Sequence, residues 1–142
     1  MIPLIIVSKD LEKQEKFLLD FIKENKINQY HVYKISPLKT EITIDQIREI
    51  KKQIITHSTY MRVFVCYSFD TANIEAQNAF LKTLEEKNEQ NQFILFSKNI
   101  ERLLPTIRSR STTHFLDTNI ENHRISDSNL SVFKKAFTSE EN

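Results

Sequence analysis

Three arginines in one short stretch of the chain could do chemistry with an anion. Arg102, Arg108 and Arg110 fall within nine residues of one another, around Pro105. A guanidinium is always charged and presents a planar fork of N–H donors that matches phosphate and carboxylate oxygens. Because the stretch follows the fourth predicted strand, we expect it beside the carboxyl edge of a sheet. The spacing alone leaves two interpretations open, solvated surface residues and contact with an anion.

The turn after the first predicted strand, Ser8 to Glu15, is where a P-loop ATPase would bind phosphate. The chain contains no glycine, which excludes Walker A, dinucleotide-binding and kinase glycine loops. Asp10, Glu12 and Glu15 would repel a triphosphate, and the uncharged Gln14 stands nearest the position of a Walker lysine. The segment therefore predicts a helix with Asp10 as its N-cap and a degenerate site that takes no nucleotide cofactor.

The end of the third predicted strand is equally poor in catalytic groups. A P-loop ATPase places a Mg²⁺-binding Asp and a catalytic Glu after this strand, whereas this chain has Tyr67 and Ser68 there. The four histidines are scattered, and Cys66 is the single cysteine, so the sequence predicts no metal site and no disulfide. A lone thiol in an apolar run is typical of a reducing compartment, which indicates the cytoplasm.

The composition is that of one folded domain. The chain has 142 residues, 39% of them hydrophobic and 27% charged, and a net charge of +1. This balance excludes a strong global field for nucleic acid, so any DNA contact would be local. No apolar stretch approaches the length of a membrane span, and Met1 to Val7 lacks the features of a signal peptide.

Five short β-branched or aromatic runs must carry these residues. They are Pro3–Val7, Tyr30–Ile35, Val63–Tyr67, Phe93–Phe96 and Thr112–Leu116. Long segments with helical periodicity separate most of them, which favours crossover connections and a mainly parallel α/β sheet.

Three helices are predicted between the strands. The first presents Leu11, Leu18, Phe21 and Ile22 on one face, and the second presents Ile44, Ile47, Ile50 and Ile54. Thr43 and Gln46 form a capping box for the second helix. The third runs from about Ile74 to Glu86 behind Asn73 as N-cap, and Pro105 allows only a short helical turn before Ser109.

Several of these segments, taken in order, resemble a known family. They are Thr43-Ile-Asp-Gln-Ile-Arg48, Arg62-Val-Phe-Val-Cys66, Glu75 to Glu86, Phe93-Ile-Leu and Leu103 to Ser111. The Asn-Ala-x-Leu-Lys-Thr-Leu-Glu-Glu and Leu-Pro-Thr-Ile-Arg-Ser-Arg blocks are the most specific of them. Together they resemble the ATPase-like AAA+ clamp-loader subunits of bacterial DNA polymerase III. The resemblance implies a three-layer P-loop-like α/β domain with a five-stranded parallel sheet in the order 5-1-4-3-2.

Within that family the sequence is similar to the delta-prime subunits, which keep a Ser-Arg-Cys motif while their own nucleotide site decays. Ser109 and Arg110 match the first two positions, and Ser111 replaces the cysteine. The resemblance implies a subunit of the polymerase holoenzyme without ATPase activity of its own, with Arg110 as an arginine finger acting in trans. The implied partners are the gamma/tau motor subunits and delta, and indirectly the sliding clamp and primer–template DNA, with no membrane.

Two departures from the family accompany the resemblance. Lys23 to Gln29 is a short link where many relatives carry a four-cysteine zinc module, so zinc is not expected. We expect an AAA+-like core over residues 1–118 and, over 119–142, a polar tail or the start of a helical lid, with one helix from about Ser128 to Phe137 and no collar domain. Two alternatives stay open: an ATPase-dead scaffold or interaction module, and a subunit with an unusual ATP site.

Overall fold

A computed structural model of the chain describes residues 1–86 and 89–117. The strands are Leu4–Val7 (β1), Val32–Ile35 (β2), Arg62–Cys66 (β3), Asn91–Ser97 (β4) and Thr112–Phe115 (β5). The α-helices are Leu11–Glu24 (α1), Ile44–Ile55 (α2), Ile74–Glu85 (α3) and Pro105–Ser109 (α4). The helix predicted from Ser128 to Phe137, and the whole of the predicted tail, lie outside the described residues.

The five strands form one sheet in the order β2-β3-β4-β1-β5, and every neighbouring pair is parallel. This is the strand order that the family resemblance implies, read from β2 to β5 instead of from β5 to β2. The predicted strand positions are confirmed, with small differences at the ends. The second strand begins only at Val32, because Gln29–His31 forms a 3₁₀ turn in which the Asn28 side chain accepts from the Tyr30 N–H.

Side chains alternate between two apolar layers on opposite faces of the sheet, as the period of a strand requires. Ile5, Phe64 and Leu95 pack with α2 and α3 on one face. Ile6 and Phe96, with their neighbours, pack with α1 on the other face. The predicted three-layer α/β architecture is therefore confirmed.

The buried face of α1 differs from the predicted one. Leu11 is 60% exposed, whereas the buried residues are Gln14, Phe17, Leu18 and Phe21. These four fall at i, i+3, i+4 and i+7 and form a single helical stripe, and Leu11, at the first residue of the helix, lies before its buried part. The prediction that Leu11 is a core residue was wrong, because a polar residue, Gln14, takes the first buried position on this helix.

The helix starts follow the predicted caps. Asp10 accepts hydrogen bonds from the first turn of α1, and Asn73 accepts one from Ala76 N–H at the start of α3. Thr43 and Gln46 form a reciprocal capping box at α2. Pro105 occupies the first turn of α4, where its missing N–H costs no helical bond.

Arg62 joins α2 to the sheet at its amino edge, where the strands begin. The residue is buried, with 6% of its surface exposed. The guanidinium donates to Asn91 Oδ1 at 2.9 Å, to the Gln53 carbonyl at 2.8 Å and to the Thr56 carbonyl at 3.0 Å. The cation thus satisfies carbonyls at the negative end of a helix, so we assign it a structural role.

Candidate functional site

The segment Ser8–Gln14, here called the β1–α1 turn, lies at the carboxyl edge of the sheet and pairs its polar groups within the chain. Asp10 Oδ1 accepts N–H bonds from Glu12 at 2.9 Å and from Lys13 at 3.4 Å. The Asp10 N–H donates to Ser8 Oγ at 3.0 Å. These are backbone donors of the kind that hold phosphate at the start of a helix, and here they already have acceptors.

Gln14 stands nearest the position of a Walker lysine, and its side chain is turned inward. The residue is 3% exposed, and its Nε2 donates to the Ser8 carbonyl at 2.9 Å. The amide therefore closes the turn from inside and presents no cation to solvent. The degeneracy of this segment as a nucleotide site stays a prediction.

Asp117, which the sequence analysis did not single out, lies directly against this turn. Its Oδ1 accepts a hydrogen bond from Ser8 Oγ at 2.6 Å, and its Oδ2 accepts one from the Lys9 N–H at 2.6 Å. Lys13 Nζ lies 3.5 Å from the same carboxylate. The signal was available in the implied strand order, because a residue that follows β5 must lie beside one that follows the adjacent β1.

Tyr67 and Ser68 follow β3 at the same edge. Tyr67 stacks on Phe96 and donates its hydroxyl to Glu15 Oε1 at 2.6 Å. Burial, and then the Glu15 carboxylate, raise the pKa of the Tyr67 phenol well above its ordinary value. Residues from the two segments that the sequence predicts to be degenerate thus bond to each other, with Tyr67 directed toward α1.

Ser68 has an unusual backbone for a residue with a side chain. Its φ is 52° and its ψ is 43°, in the left-handed region that glycine prefers. The Ser68 carbonyl accepts from both the N–H and the hydroxyl of Thr71, at 2.9 Å and 2.6 Å. Ser68 therefore makes the sharp turn out of β3 and places no carboxylate where an ATPase needs one.

Arg110 lies at the opposite edge of the sheet from the β1–α1 turn. It follows α4 and precedes Thr112, which pairs with Leu4, the first residue of β1. The expectation that all three arginines lie beside the carboxyl edge was therefore wrong for Arg110, because α4 carries the chain across to the amino edge. Arg102, which closely follows β4, does lie near the carboxyl edge.

The Arg110 guanidinium is exposed and loosely held. One terminal nitrogen donates to the Thr106 carbonyl at 3.2 Å, and the other lies 3.4 Å from Glu85 Oε1. The Arg110 and Glu85 side chains are 45% and 52% exposed, so this ion pair is a surface contact and contributes at most about 1 kcal/mol. The arrangement leaves Arg110 able to meet an anion from outside the chain.

The neighbours of Arg110 serve its helix. Ser109 is exposed and donates its hydroxyl to the Thr106 carbonyl at 3.0 Å, and Ser111 donates to the Ile107 carbonyl at 2.8 Å. Both bonds close the last turn of α4. Ser109 and Arg110 are both exposed at the end of α4, Arg108 is half-buried in the same helix, and Arg102 lies before α4 near the carboxyl edge.

Gln77 positions α4, and the sequence analysis missed this role. The side chain is 2% exposed. Its Nε2 donates to the carbonyls of Ala72 and Arg102, both at 2.9 Å, and its Oε1 accepts from the Leu104 N–H at 2.8 Å. This fully used amide ties α3 to the loop before α4, and Gln77 lies within the motif segment that carries the family resemblance.

The described residues hold no cluster that suits a metal. Over residues 1–86 and 89–117, no group of three or more His, Cys, Asp or Glu side chains converges. Burial raises the pKa of the Cys66 thiol to about 12, so the thiol stays protonated and is a poor ligand. Within the same ranges no helix combines the length and apolarity that crossing a bilayer requires.

The sequence matches a known protein family. The sequence model of the family described as DNA polymerase III, delta subunit, matches residues 13–119. Over 88 residues the chain is 36% identical to DNA polymerase III subunit delta′ of Escherichia coli K12, which covers 59% of this chain and 26% of that protein. Over 83 residues it is 31% identical to the Pseudomonas aeruginosa subunit delta′, covering 57% and 25% of the two chains.

A solved structure agrees with the fold. A DNA polymerase III gamma subunit-related protein from Thermotoga maritima superposes with a TM-score of 0.69 at 27% identity. The match covers 84% of this chain and 42% of that one. The chain thus spans about a quarter of the length of the two delta′ relatives and less than half of this structural neighbour.

Proposed function

The chain belongs to the DNA polymerase III delta subunit family, and we propose that it acts as a delta-prime-like, non-catalytic subunit of the clamp loader. In this role Arg110 reaches across an interface to the γ-phosphate of ATP held by a neighbouring motor subunit. Its guanidinium stabilises the charge that develops during phosphoryl transfer, with Ser109 beside it closing the end of α4. The loader in turn places the sliding clamp on DNA during replication.

The observation that carries this proposal is the exposure of Arg110 at the end of a well-held helix. A guanidinium that stabilises a transition state on a neighbouring subunit must be free to contact the phosphate, and the backbone that carries it must be held in place. Gln77 fixes the loop before α4 through three hydrogen bonds, whereas Arg110 itself has only the Thr106 carbonyl and a surface carboxylate. Both conditions are met.

The second support is that four N–H groups of the β1–α1 turn already bond to acceptors of this chain. The N–H groups of Lys9, Asp10, Glu12 and Lys13 all have acceptors within the chain. The two positions directly after β3, where an ATPase places its Mg²⁺-binding Asp and catalytic Glu, are Tyr67 and Ser68 and carry no carboxylate. We therefore propose that this subunit has no ATPase activity of its own and takes no cofactor.

Partners and organisation follow from the same proposal. The partners are the gamma/tau motor subunits and the delta subunit, and the sliding clamp and primer–template DNA are contacted indirectly, in the cytoplasm. We propose that residues 1–118 are the AAA+-like core that presents Arg110, with residues 119–142 a polar tail or the start of a helical lid.

The test is ATP hydrolysis by a loader reconstituted with the full chain, the motor subunits, the clamp and primed DNA. Arg110→Ala should leave the ring assembled and lower stimulated hydrolysis, because arginine fingers contribute about 10³–10⁵ in rate at the site they serve in other systems. Arg110→Lys should restore little, since an ammonium lacks the planar fork. Arg102→Ala, which removes an exposed arginine near the other edge, is the matched control and should hydrolyse ATP normally.

A scaffold role without a finger is the second candidate, and the Arg110–Glu85 ion pair is the observation that favours it. That pair gives the arginine a partner within its own chain. If the Arg110→Ala loader assembles and hydrolyses ATP at the wild-type rate, the finger is ruled out and the scaffold role is the better account. A loader that fails to assemble with Arg110→Ala, but assembles with Arg102→Ala, would instead make Arg110 an interface residue.

A further inference from the structure

The Asp117 carboxylate is bound more tightly than a surface carboxylate needs to be. Both oxygens accept a hydrogen bond of 2.6 Å, one from Ser8 Oγ and the other from the Lys9 N–H. Ser8 is 1% exposed, so its hydroxyl is a buried donor directed at the carboxylate. Bonds this short are typical of charged acceptors.

The donors around Asp117 are those that hold a phosphate oxygen elsewhere. They are a hydroxyl, a backbone N–H ahead of a helix, and the ammonium of Lys13 at 3.5 Å. The carboxylate comes from 109 residues away in the sequence, so the local geometry of the turn does not demand it. The Asp117 carboxylate, from the end of the described core that is last in the sequence, therefore stands where these donors could hold a phosphate oxygen.

The sheet brings Asp117 there. β5 lies beside β1 in parallel, with Phe115 paired to Val7, and the Leu116 N–H then donates to the Val7 carbonyl at 2.9 Å. This extra bond continues the ladder to the residue before Asp117. The position of the carboxylate is thus set by strand pairing as well as by its own contacts.

We propose that Asp117 is a built-in anion that fills the oxyanion position of the β1–α1 turn and latches the chain leaving β5 to that turn. The latch keeps the turn in shape without nucleotide and closes it to small oxyanions such as phosphate. This inference concerns the degenerate site itself and goes beyond the role proposed for Arg110.

The electrostatics agree with the geometry. The bonds from Ser8 and Lys9, and the charge of Lys13, lower the pKa of the Asp117 carboxyl below its ordinary value. Asp117 is therefore ionised at neutral pH, where it neutralises the positive end of the turn. A free phosphate would meet this carboxylate, together with Asp10, before reaching the donors.

The experiment measures amide hydrogen exchange at Lys9 and thermal unfolding of the full chain, with inorganic phosphate or with chloride at matched ionic strength. In Asp117→Ala the Lys9 N–H loses its acceptor and should exchange about tenfold faster, the size expected for a charged hydrogen bond. Phosphate, and not chloride, should then slow the exchange and raise the unfolding midpoint. Asp117→Asn keeps an oxygen acceptor without charge and should fall between wild type and Asp117→Ala.

Asp45→Ala is the matched control, because Asp45 is an exposed carboxylate that pairs with Arg48 at 3.3 Å on the surface of α2. It and the wild type should show no specific response to phosphate. Unchanged Lys9 exchange in both Asp117 variants would overturn the latch, and so would an equal phosphate effect in all chains. If Asp117→Ala does not fold, the Lys9 exchange rate of Asp117→Asn decides. None of these variants alters Arg110, so failure here leaves the proposed function standing.

Discussion

The two ends of the sheet treat their polar groups in opposite ways. At the carboxyl edge, the β1–α1 turn pairs the Lys9 and Asp10 amides, the buried Gln14 side chain and the Ser8 hydroxyl with groups from within the chain. At the amino edge, Arg110 projects from the end of α4 with two long surface contacts. The difference shows that the polar groups of the turn bond to other groups of the same chain, whereas Arg110 is left exposed to solvent.

The largest expected contrast is between two arginines of the amino edge. Arg62→Ala should lower the free energy of unfolding by about 3 kcal/mol or more, because it leaves buried acceptors on α2 and Asn91 without a donor. Arg110→Ala should change it by less than about 0.5 kcal/mol, as is usual for an exposed pair. Urea titration of both variants gives the comparison. A large loss in Arg110→Ala would show that this arginine is structural.

The next effect concerns the closed turn. Gln14→Ala removes the donor to the buried Ser8 carbonyl and opens a small cavity, so we expect a loss of about 1–3 kcal/mol in the free energy of unfolding. Gln53→Ala makes the same substitution at an exposed position of α2 and should cost little. Equal effects of the two substitutions in a denaturant titration would mean that Gln14 does not hold the turn.

A smaller effect is expected where Tyr67 meets α1. Tyr67→Phe should cost about 1 kcal/mol through the lost bond to Glu15, against almost nothing for Tyr60→Phe at an exposed tyrosine. Because the pKa of Tyr67 is raised in the folded chain, its contribution to stability is present below about pH 10 and falls as pH rises above it. Tyr67→Phe should therefore flatten that alkaline loss of stability and remove the component of phenolate absorbance that titrates at the highest pH. A normal titration of Tyr67 would contradict the contact.

The smallest effect is expected at the partner of Arg110. Glu85→Gln removes one charge from an exposed ion pair, so the free energy of unfolding should change by less than about 0.5 kcal/mol. Hydrolysis by the reconstituted loader should stay within about twofold of wild type, since a pair this weak holds Arg110 only part of the time. A severe loss of hydrolysis in Glu85→Gln would instead place the carboxylate in the working site.

Sequence and structure agree where one local signal dominates. The helix caps at Asp10, Thr43 and Asn73 were predicted from side chains that bond amides a few residues away, and the structure confirms them. The strand positions were predicted from apolar runs, but their order came from the family resemblance, because periodicity does not specify which strands pair.

Contacts between distant residues were harder to predict. The bonds of Asp117 and of Gln77 join segments that are far apart in the sequence. The residue type and its neighbours in the sequence do not indicate which distant group such a side chain will bond. Leu11 was wrongly assigned to the core because helical spacing admits two overlapping faces and does not say that Gln14 is the buried one. Arg110 was placed at the wrong edge, because the sequence does not show that the short α4 returns the chain to the edge where the strands begin.

The central claim is that this chain acts on a nucleotide that it does not itself hold. The most direct measurement is calorimetric titration of the full chain with Mg-ATP, with a motor subunit of the loader as the positive control. The account predicts no saturable heat for this chain even at millimolar nucleotide, because the N–H groups of Lys9, Asp10, Glu12 and Lys13 already have acceptors and no lysine or acidic Mg²⁺ ligand stands in the Walker positions. Saturable binding at micromolar Mg-ATP would contradict it.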